Sequence, residues 1–148
     1  MEKKVILLVE DNPDDELLML DALAENSIKN TVVVARDGAE ALDYMFATGA
    51  YHQREIHDLP AIVLLDLKLP KLDGLEVLRQ IRGNPVTRHQ PVTILTSSVE
   101  EQDRATGYRL GVNSYIRKPV DFDNFIETAG QIGRYWLELN QAPPGSMQ

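Results

Sequence analysis

The run Val5-Ile6-Leu7-Leu8-Val9-Glu10-Asp11-Asn12-Pro13 carries the reading of the whole chain. Its consecutive apolar residues, rich in branched side chains, suit a strand buried on both faces. Two acids and an asparagine then end it, and Pro13 suits the first turn of a helix capped by Asn12 or Asp11. The same succession returns along the chain. Near-continuous apolar runs recur at residues 31–35, 61–65, 92–95 and 114–116, with helical spacing between them. The first helix presents Leu17, Leu20 and Ala24, with Leu18 and Leu23 alongside. The second follows the Asp37-Gly38 turn with Ala39, Leu42, Met45 and Phe46. The third follows Gly74 with Leu75, Leu78 and Ile81 and stops at Gly83 before Pro85. The fourth, at 100–110, has only Ala105, Tyr108 and Leu110 as apolar side chains, so it buries little and should move easily. The last is the strongest: Phe122, Phe125, Ile126, Ala129, Ile132, Trp136 and Leu139 hold one stripe, with Tyr135 off it. Strands alternating with helices of this length predict a right-handed, doubly wound α/β domain on a parallel sheet.

Composition narrows the function classes. A chain of 148 residues fits one domain, and 43% apolar with 26% charged residues argues against disorder throughout. No apolar run approaches the ~20 residues that a membrane span needs. Met1-Glu2-Lys3-Lys4 leads straight into the first strand without a cleavage site, so no secretion signal is expected. The absence of cysteine removes disulfides and thiolate metal sites and suits the cytoplasm. With 15 basic against 23 acidic residues, the net −8 would be repelled by nucleic acid and by anionic membranes, so neither is expected as a partner. Residues 49–59, with His52 and His57, read as a surface loop, and Ala142-Pro143-Pro144 ends the last helix.

In an open parallel sheet, ligands bind beyond the carboxyl ends of the strands. The first strand ends in Glu10-Asp11, the third in Asp66, the fourth in Thr96-Ser97, and the fifth leads into Lys118-Pro119. Each has a plainer use. Acids favour helix N-termini, Thr96-Ser97 suits a cap, and a lysine before proline suits a solvated turn. Their coincidence at four strand exits points instead to one polar crevice. Glu10, Asp11 and Asp66 against Lys118 leave three negative charges to one positive, a net −2. Two carboxylates about 4 Å apart repel by about 4 kcal/mol at an effective dielectric of about 20, and a divalent cation cancels that charge. All-oxygen ligands favour Mg²⁺, Mn²⁺ or Ca²⁺ over zinc, and a site that keeps waters suits Mg²⁺. The remaining hydroxyl and ammonium suit a phosphoryl group on such a metal. The three histidines, His52, His57 and His89, lie away from the exits and receive no ligand role.

Four blocks, in this order, resemble the signature of two-component response regulator receiver domains: residues 5–12, Leu64-Leu65-Asp66-Leu67-Lys68-Leu69-Pro70-Lys71-Leu72-Asp73-Gly74, Ile94-Leu95-Thr96-Ser97-Ser98, and Gly111-Val112-Asn113-Ser114-Tyr115-Ile116-Arg117-Lys118-Pro119. The resemblance implies a flavodoxin-like receiver fold, a five-stranded parallel sheet of order 2-1-3-4-5 with five helices, the order being the family's own. It implies a receiver over residues 1–140, a flexible tail at 141–148 and no output domain. Asp66 is then the acceptor of a phosphoryl group from a kinase phosphohistidine, and the chain catalyses its own phosphotransfer and dephosphorylation rather than acting as an enzyme on a separate substrate. Asp11 and Asp66 ligate Mg²⁺ (Mn²⁺ as an alternative), Glu10 through water, and Lys68 through its backbone carbonyl. Lys118 pairs with the phosphoryl oxygens, Thr96 donates its hydroxyl to one of them, and the Lys118–Pro119 bond is expected to be cis. Thr96 and Tyr115 form the switch, and the face of the fourth helix, fifth strand and fifth helix is expected to dock a second copy. The Glu10-Asp11-Asn12-Pro13 start, the loop before the third strand and Tyr135-Trp136-Leu137 resemble single-domain regulators of phytochrome-type histidine kinases, which implies such a sensor kinase as partner. Leu69 stands where the family usually has methionine.

Rival readings fail on named residues. A flavin module would have its phosphate repelled by Glu10-Asp11, and no strand is followed by G-x-G-x-x-G or a P-loop. A haloacid-dehalogenase-like phosphatase needs an acid two residues after its nucleophile, where this chain has Lys68.

Overall fold

Side chains alternate between the two faces of a strand, and this alternation divides the core into two layers. In β1 (Ile6–Val9), Leu7 and Val9 point to one layer, while Ile6 and Leu8 point to the other. The computed structural model describes residues 4–144. After β1 come α1 (Pro13–Glu25), β2 (Val32–Ala35), α2 (Gly38–Phe46), β3 (Ile62–Leu65), α3 (Gly74–Gly83), β4 (Val92–Thr96), α4 (Glu101–Arg109), β5 (Ser114–Arg117) and α5 (Phe122–Gly133). The five strands form one parallel sheet in the order β2-β1-β3-β4-β5, as the resemblance implied. One layer packs Val63, Leu65 and Ile94 against Ala41, Met45, Leu78 and Ile81 of α2 and α3. The other packs Ile62, Leu64 and Leu95 against Met19, Ala22, Phe125 and Ala129 of α1 and α5.

Two helix faces differ from the sequence reading. In α1 the inner face is Met19, Ala22 and Leu23, whereas Leu17 is 59% exposed and Ala24 faces solvent. That face begins at Asp15, a polar residue turned inward, and continues at the i+4 and i+7 positions. Apolar counting alone could not see its start. In α5 the stripe holds at Phe125, Ala129 and Ile132, but its ends, Phe122 and Leu139, are exposed. A π-helical turn at Arg134–Leu139, closed by the Asn140 N–H on the Tyr135 carbonyl, adds a residue to the turn and brings Leu137 inside. Tyr135 is half exposed and meets Trp136 edge-on.

Residues 49–59 lie on the surface as expected, yet they are pinned. The Arg54 guanidinium donates to the carbonyls of Tyr44 and Met45 at 2.7 and 2.9 Å and lies 4.5 Å above the Tyr44 ring. A cation thus meets the negative end of α2. Residues 141–144 of the expected tail are exposed and irregular, while 145–148, like Met1-Glu2-Lys3, lie outside the described residues. No helix among the described residues is long and apolar enough to cross a membrane.

Candidate functional site

Strand register builds the site. β1 and β3 run side by side with Val9 opposite Leu65, so the next residues, Glu10 and Asp66, leave the sheet together. The Asp66 N–H bonds the Val9 carbonyl at 3.1 Å and extends the ladder by one step. Glu10, Asp11 and Asp66 then offer carboxylate oxygens that all lie within 4.8 Å of one another. On the far side β4 and β5 end together, and the Lys118 N–H bonds the Thr96 carbonyl at 2.7 Å. From there the Lys118 ammonium reaches across to Glu10 Oε1 at 2.7 Å and Asp66 Oδ2 at 2.9 Å.

Burial sharpens these charges. Glu10 and Asp66 are buried, and Asp11 is exposed at the mouth. Burial pushes the Glu10 carboxyl up to about 7, Asp66 adds to the rise, and Lys118 and the Asn12 N–H oppose it. Burial alone would lower the Lys118 ammonium, but its hydrogen bonds to Asp15, Glu10 and Asp66 outweigh that and hold it above the ordinary lysine value. The second Asp66 oxygen accepts the Leu67 N–H at 2.7 Å. Gly74 lets the loop after β3 close on this residue: a Cβ there would sit 2.2 Å from the Asp66 carbonyl oxygen. An open groove of about 470 Å³ runs past the site, lined by Asp11, Lys68, Asp73, Glu100 and Asp103 among others.

The model of the response regulator receiver domain matches residues 6–129. The chain belongs to that family. Response regulator Rcp1 of a Synechocystis strain is 38% identical over 95% of this chain and 93% of its own length. The phosphorylated cyanobacterial phytochrome response regulator RcpA superposes with a TM-score of 0.87 at 38% identity, covering 95% of this chain and 99% of its own. The bacteriophytochrome response regulator AtBRR is 55% identical over 95% of this chain and all of its own, with a TM-score of 0.76. Rcp1 is also known in a Mn²⁺-bound form, to which this receiver is 37% identical with a TM-score of 0.85. The receiver is therefore a phosphoacceptor of two-component signalling, homologous to single-domain regulators of phytochrome systems, with an acidic cluster able to bind a metal.

The structure brings Glu10, Asp11, Asp66 and Lys118 together, with Thr96 fully buried at the end of β4 beside them. Lys68 is exposed on the groove wall. One expectation fails: no peptide bond among the described residues is cis, so Lys118–Pro119 is trans. The trans form is preferred by about 0.5–1 kcal/mol, and the four-carbon lysine stem reaches the carboxylates without isomerisation. Tyr115 is half-buried, and its hydroxyl is enclosed without a hydrogen-bond partner. Burial holds that phenol above its ordinary value, with Asp103 adding to the rise. Among the histidines, His57 pairs with Glu55 at 2.9 Å, and His52 bonds the Gly49 carbonyl.

Sequence reasoning missed two participants. Asp15, in the first turn of α1, accepts from the Lys118 ammonium at 2.7 Å. Ser98 donates to Asp103 Oδ2 at 2.7 Å, while its N–H bonds the Thr96 hydroxyl at 3.2 Å. The first bond ties the loop after β4 to α4, and the second ties that loop to Thr96.

Proposed function

We propose that Asp66 takes a phosphoryl group from a sensor histidine kinase of the phytochrome type, in a Mg²⁺-dependent reaction that this chain itself promotes. The observation that carries the reading is the convergence of Lys118 with Glu10 and Asp66 at bonding distance, beside Asp11. Three acids offering only oxygen suit Mg²⁺, or Mn²⁺ as in the bound form of Rcp1. Asp11 and Asp66 would hold the ion directly, with Glu10 and the Lys68 backbone carbonyl as its further oxygen partners. The ion supplies the positive charge that lets an anionic donor approach an acidic pocket.

An Asp66 carboxylate oxygen attacks phosphorus, forming an O–P bond as the donor P–N bond breaks and the imidazole nitrogen leaves with the electron pair. Lys118 pairs with the phosphoryl oxygens, and the Thr96 hydroxyl turns to donate to one of them. Such a charged hydrogen bond is worth about 1.5–3 kcal/mol, enough to shift a two-state equilibrium by roughly 10–150-fold. Ser98 moves with Thr96 through their shared bond, and Tyr115, whose enclosed hydroxyl lacks a partner, repacks against α4. The face of α4, β5 and α5 carries the exposed apolar residues Tyr108, Phe122 and Tyr135 and docks a second copy. The unit acts in the cytoplasm as a receiver over residues 1–140, with protein partners and no nucleic acid.

The test is incubation with Mg²⁺ and a small acyl phosphate. A single-phosphoryl mass gain is expected, and Asp66→Asn should abolish it. Labelling of that variant to the wild-type extent overturns the assignment. Sedimentation before and after labelling addresses the dimer, and an unchanged mass removes phosphorylation as its cause.

A further inference from the structure

The Lys118 ammonium has three hydrogens, and each has a carboxylate: Glu10 Oε1 at 2.7 Å, Asp15 Oδ2 at 2.7 Å and Asp66 Oδ2 at 2.9 Å. Its side chain is only 9% exposed, so water offers little substitute for any of the three. Two of these partners belong to the acidic cluster in which Glu10, Asp11 and Asp66 gather their oxygens. The lysine and a divalent cation therefore claim the same two carboxylates. Asp15 stands outside that cluster, comes from the first turn of α1, and bonds the lysine alone.

We propose that Asp15 is a positioning residue that lets the ammonium and the divalent cation share the site. It keeps a charged acceptor for Lys118 when Glu10 and Asp66 are drawn to the cation. Without it the lysine has only those two carboxylates to hold, and it competes with the cation for both. The proposal rests on the Mg²⁺ reading above and adds to it a residue that acts through the lysine, not on the ion.

The experiment is Mg²⁺ titration of the whole protein by calorimetry, with labelling by acyl phosphate as a second measure. Asp15→Asn should weaken Mg²⁺ binding by about tenfold, within the range for side chains that share a network. Asp15→Glu, which restores a carboxylate, should recover most of that loss. Lys118→Met, which removes the competitor, should tighten binding. The deciding variant carries Asp15→Asn together with Lys118→Met. There the Asp15 effect should shrink to about twofold or less, because the residue through which it works has gone. An equal loss in both backgrounds would mean that Asp15 acts by its charge alone and overturns the proposal. Asp15 is partly exposed and Asn12 caps the helix, so folding should survive, and Asp15→Ser provides a second neutral variant. Failure of the underlying reading looks different: the wild type would not bind Mg²⁺, or Asp11→Asn would leave binding unchanged.

Discussion

The two sides of the sheet are held very differently. On one side α1 and α5 are keyed together. The Asn26 side chain donates to the Ala22 carbonyl of its own helix at 2.8 Å and across to the Ile126 carbonyl at 2.7 Å, and Gly130 makes room for it. On the other side α4 buries only Gly107 and rests against Ile94 and Tyr115. A signal worth a few kcal/mol can shift an element that buries little, but not one locked by packing and buried hydrogen bonds. If Thr96 switches as proposed, α4 is the helix that can answer it, and the opposite layer serves as a fixed frame.

The largest test breaks the frame. A Cβ on Gly130 would sit 2.4 Å from Asn26 Oδ1, and the amide cannot retreat without losing both bonds. The overlap should cost about 3 kcal/mol, of which alanine's better helix propensity returns about 1. Gly130→Ala should therefore lower Tm by about 4–8 °C. In an Asn26→Ala background the obstacle is gone, so adding Gly130→Ala should lower Tm no further. Full additivity of the two losses in thermal melts would show that the helices are not keyed here.

How much of this asymmetry was legible in the sequence follows from what a one-dimensional pattern can hold. The strands emerged because both faces are covered, which makes each run apolar throughout. Glu10, Asp66, Thr96 and Lys118 emerged because a parallel sheet gathers its strand exits at one end. The weakness of α4 was also readable, since Ala105, Tyr108 and Leu110 leave it little to bury. Asp15 escaped because a polar residue on an inner face has meaning only once Lys118, at the far end of the chain, arrives beside it. The Arg54 anchor and the Asn26 key escaped for the same reason: side chain to backbone bonds between distant segments leave no periodicity. The π-turn after α5 escaped because its stripe looked continuous by spacing alone.

The site end of the sheet gives a second, smaller test. Glu10 is pushed up to about 7 by burial, against 4.5 for a free glutamate. A raised carboxyl means that the folded state holds a proton the unfolded chain has lost, so stability is full below the unfolded value and falls as pH rises towards 7. From pH 5.5 to 7.5 the metal-free protein should lose about 1–2 kcal/mol, read as a falling Tm. Saturating Mg²⁺ should remove most of that slope, and Glu10→Gln should flatten it without metal. A Tm that rises over this range in the absence of metal would contradict the electrostatic account.

The smallest expected effect probes the loose side. Ala105 is exposed in α4, and replacing it with glycine costs a helix interior about 1 kcal/mol. Ala129 in α5 is fully buried, so Ala129→Gly loses packing as well as propensity. If α4 opens by itself, the loss felt by the whole domain is capped by the small free energy that separates α4 closed from α4 open. Ala105→Gly should then speed amide exchange within α4 by about fivefold while moving Tm by no more than about 1–2 °C. Ala129→Gly has no such cap, because α5 is keyed to α1 and opens only with the domain. It should lower Tm by more and leave α4 exchange unchanged under native conditions. Equal Tm losses in the two variants would place α4 in the same cooperative unit as the frame, and the response to Asp66 would then have to be carried by the domain as a whole.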